Sequence, residues 1–323
     1  MATATPKSSA VKGWVKCDVK LDGKTALVTG ANQGVGYETS LEFVRRGARV
    51  VMACRNLEKG EEAKANILKE VDGADIVVCK LDLASLESVR EFAQKFNETE
   101  SRLDILVNNA GVMGCPQWKT KEGFEMQFGT NHIGHFLLTN LLLDLIKKSA
   151  PSRIVIVSSF VYKYGQMDFD NLMHEKDYSP NKCYYASKLA NVLHCRELAK
   201  RLEGTGVICN CLHPGAVKSS LANHAKDGGH LPFIQRILVK VIMPIAEATV
   251  YISPQQGAQT SIYCSVAPEL EGVSGKYFNK CEEETLASHA LSDCDAKKLW
   301  EVSEELCKAQ PVPEENQSTS AKE

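Results

Sequence analysis

The chain has 323 residues, of which 44% are hydrophobic and 24% charged, and its formal net charge at pH 7 is -2. This balance is ordinary for a globular protein and creates no positive field, so no nucleic-acid partner is expected. The 12 cysteines lie scattered between Cys17 and Cys307 without a C-x-x-C pair. Reduced thiols are therefore expected, rather than a zinc site or a disulfide framework.

Both ends of the chain are predicted to lie outside one folded domain, residues 21–308. Residues 1–20 contain no continuous apolar segment, which predicts a flexible extension with neither a signal peptide nor a transmembrane helix. A cytoplasmic location follows from that expectation. Residues 309–323 are rich in Pro, Glu, Gln and Ser and are expected to be disordered.

Short apolar runs alternate with amphipathic segments along the domain. The runs predict strands buried on both faces, as in a parallel sheet, and they are Thr25–Thr29, Arg49–Cys54, Asp75–Cys79, Asp104–Asn108, Arg153–Ser158 and Val207–Leu212. The segments with helical periodicity include Leu57–Val71, Ser85–Asn97, Gly123–Lys148 and Tyr184–Leu202. The alternation predicts a single α/β domain, a Rossmann-like doubly wound sheet of about seven parallel strands with helices on both faces. Its ligands should bind beyond the carboxyl ends of the strands.

A glycine-rich turn, T-G-A-N-Q-G-V-G, directly follows the first predicted strand. Glycines permit a tight turn and a close approach of the backbone to a pyrophosphate at the start of the next helix. The turn therefore predicts dinucleotide binding, the alternative being a turn that merely needs glycine. The candidate cofactor-binding residues are Gly30, Asn32, Gln33, Gly34, Val35 and Gly36.

The end of the second predicted strand indicates which dinucleotide is bound. An acidic residue there would accept from a ribose 2′-hydroxyl and repel a 2′-phosphate, but the run ends in Ala53, Cys54 and Arg55. A guanidinium pairs with phosphate, so Arg55 favours NADP(H) over NAD(H) unless it is only a solvated loop charge.

Tyr184 and Lys188 are spaced four residues apart, so on a helix they share one face. An ammonium group beside a phenol is expected to lower the pKa of the phenol toward neutrality, which would let Tyr184 exchange a proton. Tyr185 cannot take this part because Leu189 stands four residues after it. The alternative is an exposed Tyr-Lys pair without a catalytic role.

Taken in order, these landmarks resemble the short-chain dehydrogenase/reductase family over most of the chain. The resemblance rests on the T-G-x-x-x-G-x-G turn, N-N-A-G at 108–111, Asn131, Ser159 and Y-x-x-x-K. It implies that Ser159 binds the substrate oxygen, Tyr184 contacts the substrate and donates the proton in reduction, and Lys188 also holds the nicotinamide ribose. Asn131 would order a water in the proton relay. Ser158 competes for the serine role, but the family uses the second serine of such a pair.

The same resemblance implies further contacts to the cofactor. Asp82 corresponds to a residue that contacts the adenine ring, although it could instead cap the helix that starts near Ser85. The other implied cofactor-binding residues are Leu83, Asn109, Ala110, Gly111, Pro214, Gly215 and Val217. Two histidines in the same region, His132 and His135, suggest a metal, but helix packing is the favoured interpretation and no metal is expected.

Three segments resemble the NADP-preferring retinol dehydrogenase branch of that family: Phe124–Phe136, Ser187–Leu193 and Ser274–Phe278. This resemblance implies a small lipophilic alcohol or carbonyl substrate, in the first place retinol and retinaldehyde. The alternatives are a soluble reductase of a steroid, lipid-derived or xenobiotic carbonyl, and a non-catalytic NADP(H) sensor. Several members of the branch carry an N-terminal membrane anchor, and no such segment is recognised here.

Two segments are expected near the substrate. Residues 162–183 should form a loop beside the pocket. The apolar run at 232–244 could form a helix lining the pocket, lie in the interface of the endoplasmic reticulum membrane with Arg236 and Lys240 at the headgroups, or face the core. Homo-oligomers are common in the family, so the resemblance is also compatible with one.

Overall fold

A computed structural model describes residues 13–217 and 251–311, which form one sheet with helices on both faces. The strand order is β3-β2-β1-β4-β5-β6-β7-β8. The predicted single-domain, doubly wound architecture is confirmed. The strands are β1 (Thr25–Thr29), β2 (Arg49–Cys54), β3 (Ile76–Lys80), β4 (Ile105–Asn108), β5 (Ser152–Val157), β6 (Val207–His213), β7 (Tyr277–Asn279) and β8 (Glu282–Glu283).

The sheet has one strand more than the seven expected. Strands β1 to β7 run parallel, and β8 pairs antiparallel with β7 through only two residue pairs. The turn between them, Lys280 and Cys281, has φ values of 51° and 59°. Hairpin turns with left-handed residues usually carry Gly or Asn, so this sequence gave no signal for the hairpin.

The four predicted helical segments are present with shifted ends, and the structure has further helices that were not predicted. They are α1 (Gly34–Arg45), α2 (Leu57–Glu70), α3 (Leu86–Thr99), α4 (Met126–Phe128), α5 (Gly134–Lys148), α6 (Pro180–Arg201), α7 (Pro254–Val266) and α8 (Asp293–Leu306). Helix α3 starts after Ser85, whose side chain accepts from the Ser88 amide. The segment predicted as one helix from Gly123 is interrupted by a π turn at Gly129–Ile133.

The hydrophobic core consists of two layers, one on each face of the sheet. Leu27 of β1 points into the layer formed with α3, α5, α6 and α8, whereas its neighbours Ala26 and Val28 point into the layer formed with α1, α2 and α7. Each fully buried large apolar side chain contributes about 1.5 to 3 kcal/mol. Burial on both faces explains why the strands read as continuous apolar runs.

The order in which strands are added to the sheet reverses at β1, because β2 and β3 extend the sheet on one side and β4 to β7 on the other. The loops that leave β1 and β4 therefore diverge and open a crevice above the carboxyl ends of these two strands. Doubly wound sheets bind their ligands at such a switch point.

The described part of the predicted N-terminal extension contacts the domain. Val15, Cys17 and Val19 pack against the core, and Arg46 donates hydrogen bonds to the Cys17 and Val19 carbonyls, both at 3.0 Å. The domain limits at residues 20 and 309 stay predictions. Residues 1–12, the run 232–244 and residues 312–323 lie outside the described residues. No helix in the described ranges is long and apolar enough to cross a membrane.

Candidate active site

A cavity of about 440 Å³ lies at the carboxyl edge of the sheet. It is lined by nearly all of the candidate residues: Gly30, Asn32, Gln33, Gly34, Val35, Arg55, Asp82, Leu83, Asn109, Ala110, Gly111, Ser159, Tyr184, Lys188, Pro214, Gly215 and Val217. Two candidates, Gly36 and Asn131, lie behind this lining. Sequence reasoning assigned no role to further lining residues: Thr29, Ala53, Leu81, Val112, Thr130, Val157, Ser158 and His213.

The glycine-rich turn forms one end of the cavity. Gly30 and Gly34 adopt φ values of 64° and 59°, which favour glycine. A Cβ at Gly36 would lie 2.5 Å from the Gly30 carbonyl oxygen and 2.6 Å from Asn109 Nδ2, so Gly36 serves close packing behind the turn. Gln33, the N-cap of α1, makes no side-chain capping bond. Uncapped amides at the start of a helix suit the pyrophosphate of a dinucleotide.

Thr29 joins the turn to the neighbouring strand. Its Oγ1 accepts from the backbone amides of Asn109 and Ala110, both at 2.9 Å, and Asn109 Nδ2 donates to the Thr29 carbonyl at 2.8 Å. These three bonds hold the ends of β1 and β4 together. The sequence signal for this contact is the threonine that begins the T-G-x-x-x-G-x-G turn. Its partners directly after β4 are determined only by the pairing of β1 with β4.

The far end of the cavity carries Arg55 and Asp82. Arg55 is exposed directly after β2, and its guanidinium forms no ion pair within residues 13–217 and 251–311. Asp82 Oδ1 accepts from the Ala84 amide at 3.0 Å. The alternative that Asp82 caps α3 is wrong, because Ser85 is the N-cap.

Ser159 and Tyr184 meet at the other end of the cavity, where β5 ends and α6 begins. Tyr184 is 7% exposed, and burial raises the pKa of its phenol above the ordinary value of 10. A hydrogen bond with Ser159 acts in the opposite direction. Ser158 instead donates to the Lys188 carbonyl at 2.7 Å, so of the two serines it is Ser159 that contacts Tyr184.

Lys188 is 3% exposed, and its Nζ lies 5.6 Å from the centroid of the Tyr184 ring and 3.2 Å from the Val157 carbonyl oxygen. Burial lowers the pKa of Lys188 from 10.5 to about 8. The expectation that the pKa of Tyr184 falls toward neutrality is wrong, because burial raises this pKa. Burial removes the phenolate from water, and this cost outweighs the attraction of the partly desolvated Lys188 ammonium group at this distance.

Comparison with known proteins agrees with this geometry. Residues 24–228 match the family model described as short chain dehydrogenase. The chain belongs to the short-chain dehydrogenase family. Short-chain dehydrogenases are oxidoreductases that use a nicotinamide cofactor. This chain is therefore an oxidoreductase of that kind.

Two relatives place it in the retinol dehydrogenase branch, as its motifs indicated. Retinol dehydrogenase 14 from Homo sapiens is 50% identical over 297 residues, covering 88% of this chain and 86% of the relative. Retinol dehydrogenase 13 from Homo sapiens is 46% identical over 301 residues, covering 91% and 89%. Among solved structures, an uncharacterised protein from Mycobacterium paratuberculosis is 31% identical with a TM-score of 0.70, covering 91% of this chain and 97% of that one.

Asn131 of this short-chain dehydrogenase lies in the π turn before α5. Its Oδ1 accepts from the Val112 amide at 2.8 Å, and its Nδ2 donates to the Val112 carbonyl and to Ser187 Oγ, both at 3.0 Å. A Cβ placed on Gly111 would lie 3.1 Å from Asn131 Oδ1 and 3.6 Å from Lys188 Nζ. Asn131 and Lys188 therefore approach each other on one side of Gly111.

The two histidines of the π-turn region are both buried in packing positions. His132 Nε2 lies 2.9 Å from Ser303 Oγ, and the ring packs against Phe136 and His194. His135 lies between Thr29 and Asn131. No group of His, Cys, Asp and Glu in the described part of this short-chain dehydrogenase could hold a metal ion.

The segment expected to lie beside the pocket takes a different position. It begins within a 3-10 helix at Phe160–Tyr164, and α6 starts at Pro180, four residues before the predicted helix start at Tyr184. None of residues 162–183 lines the main cavity, and 163–167 instead line a second cavity of about 550 Å³. Phe160, the residue after Ser159, is 46% exposed, and its ring centroid lies 5.3 Å from that of His213, which lines the main cavity. An aromatic wall therefore adjoins Ser159 in this short-chain dehydrogenase.

Proposed function

We propose that this protein is an NADP(H)-dependent retinol dehydrogenase that interconverts retinol and retinaldehyde, with reduction as the favoured direction. The observation that carries the proposal is the meeting of Ser159, Tyr184 and Lys188 at one end of a cavity whose other end offers a dinucleotide cradle. The substrate class follows from relatives named retinol dehydrogenases, which match about nine-tenths of the chain.

The proposed chemistry assigns a proton to Tyr184. Ser159 and Tyr184 would bind the carbonyl oxygen of the substrate, and the bound nicotinamide would supply the hydride. The buried phenol stays protonated near neutral pH because its pKa is raised. It can give its proton to the substrate oxygen as that oxygen becomes an alkoxide, which is the stronger base. Lys188, charged below about pH 8, would stabilise the phenolate left behind.

Arg55 supports the preference for NADP(H). Its exposed guanidinium stands at the end of β2, where a dinucleotide places its adenosine ribose, and no acidic residue follows β2 directly. In the proposed complex the glycine-rich turn would hold the pyrophosphate, Asp82 and Leu83 the adenine, and Arg55 the 2′-phosphate.

The test is to incubate purified protein with all-trans-retinaldehyde and NADPH or NADH and to follow retinol by chromatography. We expect faster turnover with NADPH and a loss of at least about 100-fold in Tyr184→Phe. Tyr185→Phe is the matched control, because that ring packs on Tyr164 and does not line the cavity. Equal turnover in the two variants would exclude Tyr184 as the proton donor. If the protein binds NADPH but forms no retinol, retinaldehyde is excluded as its substrate.

A binding measurement tests the cofactor choice separately. Arg55→Ala should weaken NADPH binding about tenfold or more and leave NADH binding unchanged, because only NADPH carries the phosphate. Equal loss for both dinucleotides would contradict a 2′-phosphate contact.

A further inference from the structure

We propose that His135 is a positioning residue that couples the cofactor-binding turn to the Asn131 segment. The inference deepens the proposed function and rests on its dinucleotide cofactor. His135 is the second residue of α5, directly after the π turn, and only 2% of it is exposed. Its Nε2 lies 2.8 Å from Thr29 Oγ1, and its Nδ1 lies 3.1 Å from the Asn131 carbonyl oxygen.

The hydrogen-bond partners determine where each proton lies. A carbonyl oxygen only accepts, so Nδ1 of His135 carries the ring proton and donates to Asn131. Burial lowers the pKa of His135 to about 4, so the ring is neutral and its Nε2 is an acceptor. The Thr29 hydroxyl therefore donates to Nε2. Its other possible acceptor, the Val107 carbonyl, is farther away at 3.4 Å.

With its proton directed at His135, Thr29 Oγ1 presents its lone pairs to the amides of Asn109 and Ala110, and both bonds are 2.9 Å long. Both residues line the cavity, as does Gly30, which follows Thr29. The orientation set by His135 thus reaches both walls of the cofactor cleft.

The Nδ1 side of the His135 ring holds the segment that carries Asn131, near the substrate end of the cavity. The Asn131 backbone is held at its carbonyl by His135, while the Asn131 side chain bonds to Val112 and Ser187. One buried ring therefore links the end of β1 to the segment beside Lys188. His132, in the π turn itself, offers a contrast, because its partners are Ser303, Asn191 and aromatic rings, none of which lines the cavity.

Two substitutions test the two hydrogen bonds of the His135 ring separately. In His135→Asn the amide can replace Nδ1 and keep the bond to Asn131, but it is too short to reach Thr29. In His135→Gln the amide oxygen can replace Nε2 and keep the bond to Thr29. Each variant loses one buried hydrogen bond, so both should lose similar thermal stability.

The readout is the dissociation constant of NADPH, and of NADH, measured by calorimetry beside the melting temperature. We expect His135→Asn to bind dinucleotide about tenfold more weakly and His135→Gln to stay within about twofold of the wild type. His132→Leu is the control, which should lose stability and keep its affinity. Thr29→Val removes the bond to His135 together with those from the Asn109 and Ala110 amides, so it should weaken binding at least as much as His135→Asn. On the Thr29→Val background, His135→Asn should add little further loss, because its bond to Thr29 is already gone.

Equal affinities in the Asn and Gln variants, or losses that only follow the melting temperature, would overturn the proposal and leave His135 a packing residue. The series uses whichever dinucleotide the wild type binds more tightly. A lack of NADPH preference or of retinaldehyde turnover would therefore count against the proposed function alone. A wild-type protein that binds neither dinucleotide would overturn both.

Discussion

Lys188 illustrates how burial sets the chemistry of single residues in this protein. Its ammonium group has one backbone carbonyl as a hydrogen-bond partner, that of Val157, and its pKa falls to about 8 in the folded chain against 10.5 normally. Below pH 8 the fold must hold a buried charge that the unfolded chain keeps in water. Between about pH 8 and 10.5 the unfolded chain binds the extra proton, so stability rises with pH across this window.

Lys188→Met should therefore stabilise the protein at pH 7 by about 2 to 3 kcal/mol, while it removes activity. The Val157 carbonyl keeps a second donor, Asn191 Nδ2, at 3.2 Å, so the substitution leaves no orphaned acceptor. Denaturant unfolding at several pH values measures the effect. The advantage of the variant should shrink as the pH rises from 8 toward 10.5, and a difference independent of pH would contradict a buried cation.

The two neighbouring serines provide a second prediction for single residues. Ser159→Ala removes the hydroxyl that contacts Tyr184 and should lower kcat about 100-fold or more. Ser158→Ala removes the bond to the Lys188 carbonyl, so it should mainly lower stability, by about 1 kcal/mol. Steady-state kinetics and thermal unfolding of both variants distinguish these roles, and a larger kinetic defect in Ser158→Ala would reverse the assignment.

Single residues could be predicted where their own chemistry and strand position sufficed. Tyr184, Lys188 and Arg55 were found in this way, and all three line the cavity. His213 was assigned no role because its significance depends on Phe160, more than fifty positions away in sequence, being brought against it by the fold. The pKa expectation for Tyr184 also failed, because the extent of burial is a property of the packed structure.

Among the structural elements, the glycine-rich turn depends most on close backbone contact. Gly36→Ala would push a methyl group against the Gly30 carbonyl and the Asn109 amide, which together shape the cofactor cradle. We expect it to lose stability and about tenfold or more in dinucleotide affinity. Gly60→Ala is the matched control, since its methyl would meet the Val78 side chain at 2.5 Å, outside the cavity lining. Similar affinities in the two variants would show that Gly36 has no part in shaping the cradle.

Element boundaries were predictable where the signal was local. Apolar runs located β1 to β6 to within about one residue, because a strand buried on both faces requires a continuous apolar sequence. The π turn at Gly129–Ile133 carried no such signal. It inserts an extra residue into a helical turn, and only the tertiary contacts of that turn favour it.

At the scale of the whole molecule, the segment before β1 contributes to the packed unit. Val15 donates its amide to Gln259 Oε1 on α7 at 3.1 Å, and the carbonyls of Cys17 and Val19 hold the Arg46 side chain. A chain that begins at residue 21 should therefore melt about 5 °C below one that begins at residue 13, because it loses these bonds and three apolar contacts. Equal melting temperatures in calorimetry would mean that the contacts contribute nothing.

The amino-acid sequence by itself determined the fold class, the positions of strands β1 to β6 along the chain and the types of residue that carry the chemistry. These properties depend on neighbours in the chain, through periodicity, glycine-rich turns and the spacing of Tyr184 and Lys188. Only the tertiary structure decided that Thr29, His135 and Asn131 form one hydrogen-bonded chain and that burial shifts the pKa values of Tyr184 and Lys188. Hydrogen bonds between distant segments and the loss of solvent arise only when the sheet and helices pack together.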